Sequence, residues 1–190
     1  HSGCGLDPNS ANEALQEEVF TVKTYRAAVI GCSRMGGFID NEVVGVPGSV
    51  PPYSHGAGYE ACDRTELAAC CDLRPDVMSK FGERYGVPKE RQYLDYREMI
   101  DTEQPDVLSI VTMPGPRAEI TVYAAEHGIK AIYAEKPLAA SMDDADAMVK
   151  SVEGNGVIFN MGASRRWHPG YDKMKEVIDS GSLGALKTVT

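Results

Sequence analysis

The sequence predicts a doubly wound α/β domain, a parallel sheet covered by helices on both faces. Three observations point there. From Tyr25 onward, short β-branched or small apolar runs alternate with stretches of helical periodicity. The first run leads straight into Gly31-Cys32-Ser33-Arg34-Met35-Gly36, a glycine-spaced turn, and the second ends on an acid, Asp72. Strands joined through helices of this length require right-handed crossovers, which build parallel sheets.

Taken in order, residues 1–23 stand outside the alternation and begin His1-Ser2-Gly3, as a processed end or tail would. Ser10-Ala11-Asn12-Glu13 has capping-box spacing before Ala14, Leu15 and Val19, the mark of a short leading helix. Strands are expected at Arg26–Ile30, Glu66–Cys71, Gln92–Leu94, Val107–Thr112, Lys130–Ala134 and Val157–Met161. Helices are expected from near Arg34, then over Pro75–Tyr85, Tyr96–Asp101, Arg117–His127 and Met142–Glu153. A last helix, Gly170–Ser180, runs into Gly181, a residue suited to a C-terminal cap. Val43 to His55, rich in Gly and Pro, reads as an inserted loop at the ligand edge of the sheet. Residues 24–162 therefore form a Rossmann-type domain, and 163–190 a connecting helix and the start of a second domain whose sheet is essentially absent.

In such a fold a turn like 31–36 cradles phosphate. Gly31 allows the tight turn, the small Ser33 lets the backbone approach a pyrophosphate, and Gly36 lets the next helix lie close to the sheet. The helix start adds unpaired N–H groups and partial positive charge. Asp72 stands where a carboxylate accepts hydrogen bonds from an adenosine ribose, and its charge repels a 2′-phosphate. NAD is thus favoured, while Arg74 keeps NADP open, because a guanidinium accommodates phosphate. Glu135-Lys136-Pro137 follows the strand ending at Ala134, so Lys136 should face the ligand crevice.

Composition sets exclusions. With Lys+Arg 19 against Asp+Glu 28 the net charge is −9, which argues against nucleic acid or an anionic membrane as partner. No run approaches the roughly 20 apolar residues of a membrane span, and the chain reads as cytoplasmic. Five cysteines, Cys4, Cys32, Cys62, Cys70 and Cys71, lack Cys-x-x-Cys spacing and read as reduced thiols, not metal ligands.

Together the turn at 31–36, Asp72, Glu135-Lys136-Pro137 and Gly162-Ala163-Ser164-Arg165-Arg166-Trp167-His168-Pro169 resemble the glucose-fructose oxidoreductase/inositol dehydrogenase (Gfo/Idh/MocA) family, from about Tyr25 to the end. The resemblance implies NAD(P)-dependent hydride transfer at a hydroxyl or carbonyl carbon of a sugar or cyclitol. It makes Lys136 the catalytic lysine and Glu135 a neighbour that orients it or lines the nicotinamide side of the pocket. Arg166 and Trp167 match a segment near nicotinamide and substrate, and Thr112 and Pro114 match the loop that skirts the dinucleotide.

Family members continue well past Gly184-Ala185-Leu186-Lys187-Thr188-Val189-Thr190, which looks like the first strand of a second domain that supplies substrate groups and an oligomer interface. An Asp-x-x-x-His element has no counterpart here. His168 reads as a rim residue, His55 and His127 as weaker candidates still, and His127 as a helix-end charge. The expectation is a chain that binds NAD with little turnover and pairs, as a homo-oligomer or through Leu186–Thr190. Two other readings stay open: a non-catalytic dinucleotide module or redox sensor, and an NAD-dependent glycoside hydrolase.

Overall fold

The computed structural model describes residues 23–188. Six parallel strands form one sheet: β1 (Tyr25–Ile30), β2 (Thr65–Cys71), β3 (Gln92–Tyr93), β4 (Val107–Ile110), β5 (Ala131–Ala134) and β6 (Ile158–Met161). Their order across the sheet is β3-β2-β1-β4-β5-β6. The order reverses between β1 and β4, the point at which a doubly wound sheet opens a crevice beyond its carboxyl ends.

β1 sits at the centre because its middle is small. Ala27 and Ala28 are wholly buried, and without bulk they let helices close on both faces. Alternation along the strand then splits the core. Ala28 and Ile30 join Met99, Ile100, Leu108, Ile120 and Ala124 on one face, whereas Val29 joins Phe81, Met78 and Val87 on the other. The helices are α1 (Asp40–Val43), α2 (His55–Glu60) and α3 (Pro75–Tyr85), then α4 (Tyr96–Glu103), α5 (Pro114–Glu126), α6 (Met142–Gly154) and α7 (Pro169–Asp179), the last of which buries no side chain.

Local chemistry sets the boundaries. Pro75 opens α3, where its missing N–H costs nothing, and Gly86 closes it in the left-handed region at φ 71°. Ser141 caps α6 through its hydroxyl to the Asp144 N–H at 3.1 Å, and Asp143 and Asp144 favour the positive end of that helix. α5 begins a turn earlier than its periodicity suggested, because Pro114 occupies its first position. β3 is two residues long where three were expected.

Three expectations change. No long helix opens at Arg34; a single wide turn, Arg34–Phe38, leads into the four-residue α1. The stretch taken as a loop from Val43 to His55 is bounded by α1 and α2, so only residues 44–54 lie between helices. Residues 184–188 carry no strand, and the rest of the expected terminal strand, Val189 and Thr190, lies outside the described residues, as does the leading helix near Ser10. Among the described residues, no helix is long and apolar enough to cross a membrane.

Leu108 is fully buried at the junction of β4 with the larger core cluster. Leu108→Ala should lower stability by about 2–5 kcal/mol, read as a fall in the urea midpoint at unchanged slope, whereas Val44→Ala, at an exposed position, should stay within about 0.5 kcal/mol.

Candidate functional site

The parallel ladders continue past the ends of three strands and bring their turns level. Gly31 N–H donates to Cys71 O at 2.8 Å, Val111 N–H to Ile30 O at 2.8 Å, and Glu135 N–H to Ile110 O at 3.0 Å. Beyond them opens a cleft of about 740 Å³, the size of a small-molecule or cofactor site. Gly31, Ser33, Met35, Asp72, Arg74, Thr112, Pro114, Glu135 and Lys136 all line it, so the structure brings together most of the residues singled out in the sequence.

Two glycines make the near wall. Gly31 has φ +95°, and a Cβ there would lie 2.8 Å from Val111 O; at Gly36 it would lie 2.0 Å from Gly31 O. Neither position admits a side chain while the backbone stays put, which keeps the turn tight at the edge of the cleft. Asp72, at the end of β2, locks that turn. Its Oδ2 accepts from the Cys32 N–H at 2.8 Å and its Oδ1 from the Arg74 N–H at 2.9 Å, with Arg74 Nε at 3.5 Å. A carboxylate offers about four acceptor positions, so Asp72 keeps capacity toward the cleft. The Cys32 thiol points inward; Cys70 beside it and burial push it far above the usual thiol range, leaving it neutral and inert. Cys32, Cys62, Cys70 and Cys71 are free thiols, and Cys4 lies outside the described residues.

Arg34 behaves differently from expectation. Its guanidinium turns away to Glu42, with Nε 2.9 Å from both carboxylate oxygens, and the residue does not line the cleft. The short Arg34–Phe38 turn also carries far less aligned dipole than a full helix.

The far wall is the lysine turn. The Lys136–Pro137 peptide is cis. Arg117, inside α5 and fully buried, donates one guanidinium nitrogen to Pro137 O and another to Thr112 O, tying the turns after β4 and β5 together. Burial lowers its pKa, and the nearby Glu135 carboxylate counters that. Glu135 is buried on the opposite side against His55, whose Nε2 lies 3.3 Å from Oε1, and its other oxygen accepts from the Lys136 N–H at 3.2 Å. The His55 bond is the main cause holding Glu135 below the ordinary carboxyl value of 4.5, against burial. Gly162 leaves room for this carboxylate; a Cβ there would meet Oε1 at 3.2 Å. Lys136 itself is exposed into the cleft, and among the described residues its ammonium has no ion-pair partner.

Arg166 and Trp167 do not join this group. They stack on each other, guanidinium carbon 5.6 Å from the ring centre, in an exposed turn away from the cleft lining. His168 caps α7, its ring accepting from the Gly170 N–H at 3.0 Å, and His127 lies stacked on Tyr123 at 3.7 Å. Conversely, two residues the sequence undervalued are central. His55, set aside as a loop residue, is buried under the lysine turn. Arg117 carried a signal: it falls in the apolar stripe with Ile120, Thr121 and Ala124, where an unpaired charge would be costly.

The profile of the Gfo/Idh/MocA family, described as oxidoreductases with an NAD-binding Rossmann fold, matches residues 39–163. The chain belongs to this family. A D-apiose dehydrogenase of Paraburkholderia graminis is 27% identical over 179 residues, 94% of this chain and 43% of that protein. A myo-inositol 2-dehydrogenase of Lactobacillus plantarum superposes with a TM-score of 0.69 at 28% identity, over 86% of this chain and 43% of its own. An oxidoreductase of Agrobacterium radiobacter, solved with NAD+, L-tartaric acid and magnesium, gives 0.68 at 26% identity, over 86% and 42%. The chain spans less than half the length of these Gfo/Idh/MocA relatives.

Removing the Arg117 clamp leaves two carbonyls without donors. Arg117→Met should cost about 3 kcal/mol in chemical denaturation, and Arg117→Lys should recover little of it, since a point ammonium cannot span both acceptors as the planar fork does.

Proposed function

We propose that the protein is an NAD-dependent oxidoreductase of small polyols, sugars or cyclitols, with the cleft as its dinucleotide site and Lys136 as its catalytic residue. One observation carries this reading: the bare turn at 31–36, the Asp72 carboxylate and the unpaired Lys136 ammonium open onto the same cavity. The donor set fits the cofactor. Gly31 leaves space and Ser33 an amide for a diphosphate, and the acceptor capacity remaining on Asp72 suits the hydroxyls of a ribose. The charge of Asp72 disfavours a 2′-phosphate, so NAD is preferred to NADP, with Arg74 at the rim moderating that preference.

The nicotinamide supplies the hydride chemistry when bound. The chain's own task is position and charge. Lys136 hydrogen-bonds the reacting hydroxyl or carbonyl oxygen and holds or releases its proton, while Arg117 and Glu135 keep the lysine turn in place. The sugar and cyclitol dehydrogenases among its relatives support the substrate class.

Titration of the purified chain, by fluorescence or calorimetry, should show NADH binding at least about tenfold more tightly than NADPH, a difference of about 1.4 kcal/mol. Ser33→Glu, which sets a negative charge beside the diphosphate, should weaken NADH by about tenfold or more, and Lys136→Met, which removes one cation from the far wall, should weaken it less. No binding, or a preference for NADPH, would refute the reading.

A further inference from the structure

A buried polar chain runs behind the lysine turn. His55 opens α2 directly after residues 44–54, and its side chain is 3% exposed. Nδ1 lies 2.8 Å from Ser109 Oγ, in β4, while Nε2 faces Glu135 Oε1 at 3.3 Å. Ser109 Oγ is also 2.8 Å from Tyr59 OH, one turn further along α2, and the ring of Tyr133 lies tilted against the imidazole at 4.7 Å. With both nitrogens engaged and one face covered, the imidazole has a single orientation open to it.

The approach to His55 is fixed as well. Asp40, buried just after the Arg34–Phe38 turn, accepts from the Tyr53 N–H at 2.7 Å and the Ser54 N–H at 3.0 Å. Tyr85 OH, donating to Gly37 O at 2.6 Å, lies 3.2 Å from Ser54 Oγ. Residues 44–54 thus leave and rejoin the domain at one polar knot, and His55 is the side chain that carries this knot across to β5.

We infer that His55 is a positioning residue for the lysine turn: clamped by Ser109, it holds the Glu135 carboxylate and, through it, the amide of Lys136, so that residues 40–55 and the Lys136 turn form one unit. The role in catalysis rests on the reading of Lys136 given above; the His55–Glu135 coupling stands apart from it. The titratable and charged groups facing the carboxylate are His55 from α2, Arg117 from α5, and Lys136 and Tyr133 beside it in the chain. A bond that favours the charged form depresses a carboxyl pKa, so its loss moves the midpoint up.

The experiment uses the 190-residue chain without cofactor, with 13C-carboxyl glutamate and 15N-ring histidine, the Glu135 signal being assigned by its loss in Glu135→Gln. In the wild type, the His55 ring nitrogens shift across the interval in which Glu135 titrates, and Glu135→Gln abolishes that step. In His55→Asn, whose amide reaches Ser109 but not Glu135, the Glu135 midpoint rises and the Lys136 amide signal moves. His55→Gln, whose amide reaches the Nε2 position, restores both. A Glu135 midpoint unmoved in His55→Asn overturns the inference. If that variant fails to fold, the wild type decides: His55 nitrogens indifferent to Glu135 overturn it equally. Failure to bind NADH would sink the dinucleotide reading and leave these titrations as they are.

Discussion

Three backbones meet with no side chain between them at the head of β1, and the cleft depends on that contact. Gly31 lies against the carbonyl of Val111, and Gly36 against the carbonyl of Gly31 itself. A single added carbon at either place would have to displace main chain, which a close-packed interior does not absorb cheaply. Because β1 and β4 are neighbours in the ladder, the same contact sets how far the turn after β4 can retreat, and the β4–β5 pairing passes that level on to Glu135. The two walls of the cleft are therefore aligned by sheet register, not by loop packing.

Behind those walls the structure buries charge, and it does so in an ordered way. Arg117 meets two carbonyls and the field of Glu135, and Glu135 meets His55 and an amide. Each buried ion is answered by at least one group from a different segment, which converts the cost of an unpaired charge into a constraint on how those segments sit. Lys136 is the exception. It stands at the same turn with its backbone fixed, while among the described residues its ammonium has no ion-pair partner.

Much of this was legible in the sequence because it is local. Pro75 and Gly86 bracket α3, Ser141 with its two acids starts α6, and the alternation from Tyr25 gives strand and helix in the right order. The turn at 31–36, Asp72 and Lys136 were legible for the same reason: each sits at a strand end, and in a parallel sheet all strand ends share one edge. His55 was not legible. It lies 54 residues from Ser109 and 80 from Glu135, and a Gly- and Pro-rich stretch before it carries no periodic signal that would turn its ring inward. Arg34 failed in the opposite sense: its place in the turn is local, but the direction of its side chain is set by Glu42, eight residues on. Arg166 and Trp167 were weighed on family pattern, and neither lines the cleft.

An acidic protein with a cleft for an anionic ligand poses an electrostatic problem, since a net charge of −9 opposes the approach of a diphosphate. The answer lies in where the charges stand. Of the acids near the cleft, Asp72 is occupied by the Cys32 and Arg74 amides and Glu135 faces His55, so each has a partner that absorbs its field. The cations Arg74 and Lys136 reach the lining from opposite walls, and Arg117 lies beneath it. Local potential in a narrow, partly apolar cavity is governed by these near groups, because exposed charges beyond about 8–10 Å are largely screened at physiological salt. The chain can thus be acidic overall and still hold a negative ligand, provided that the uncommitted amides of the turn after Cys32 and the cations Arg74 and Lys136 meet it at short range.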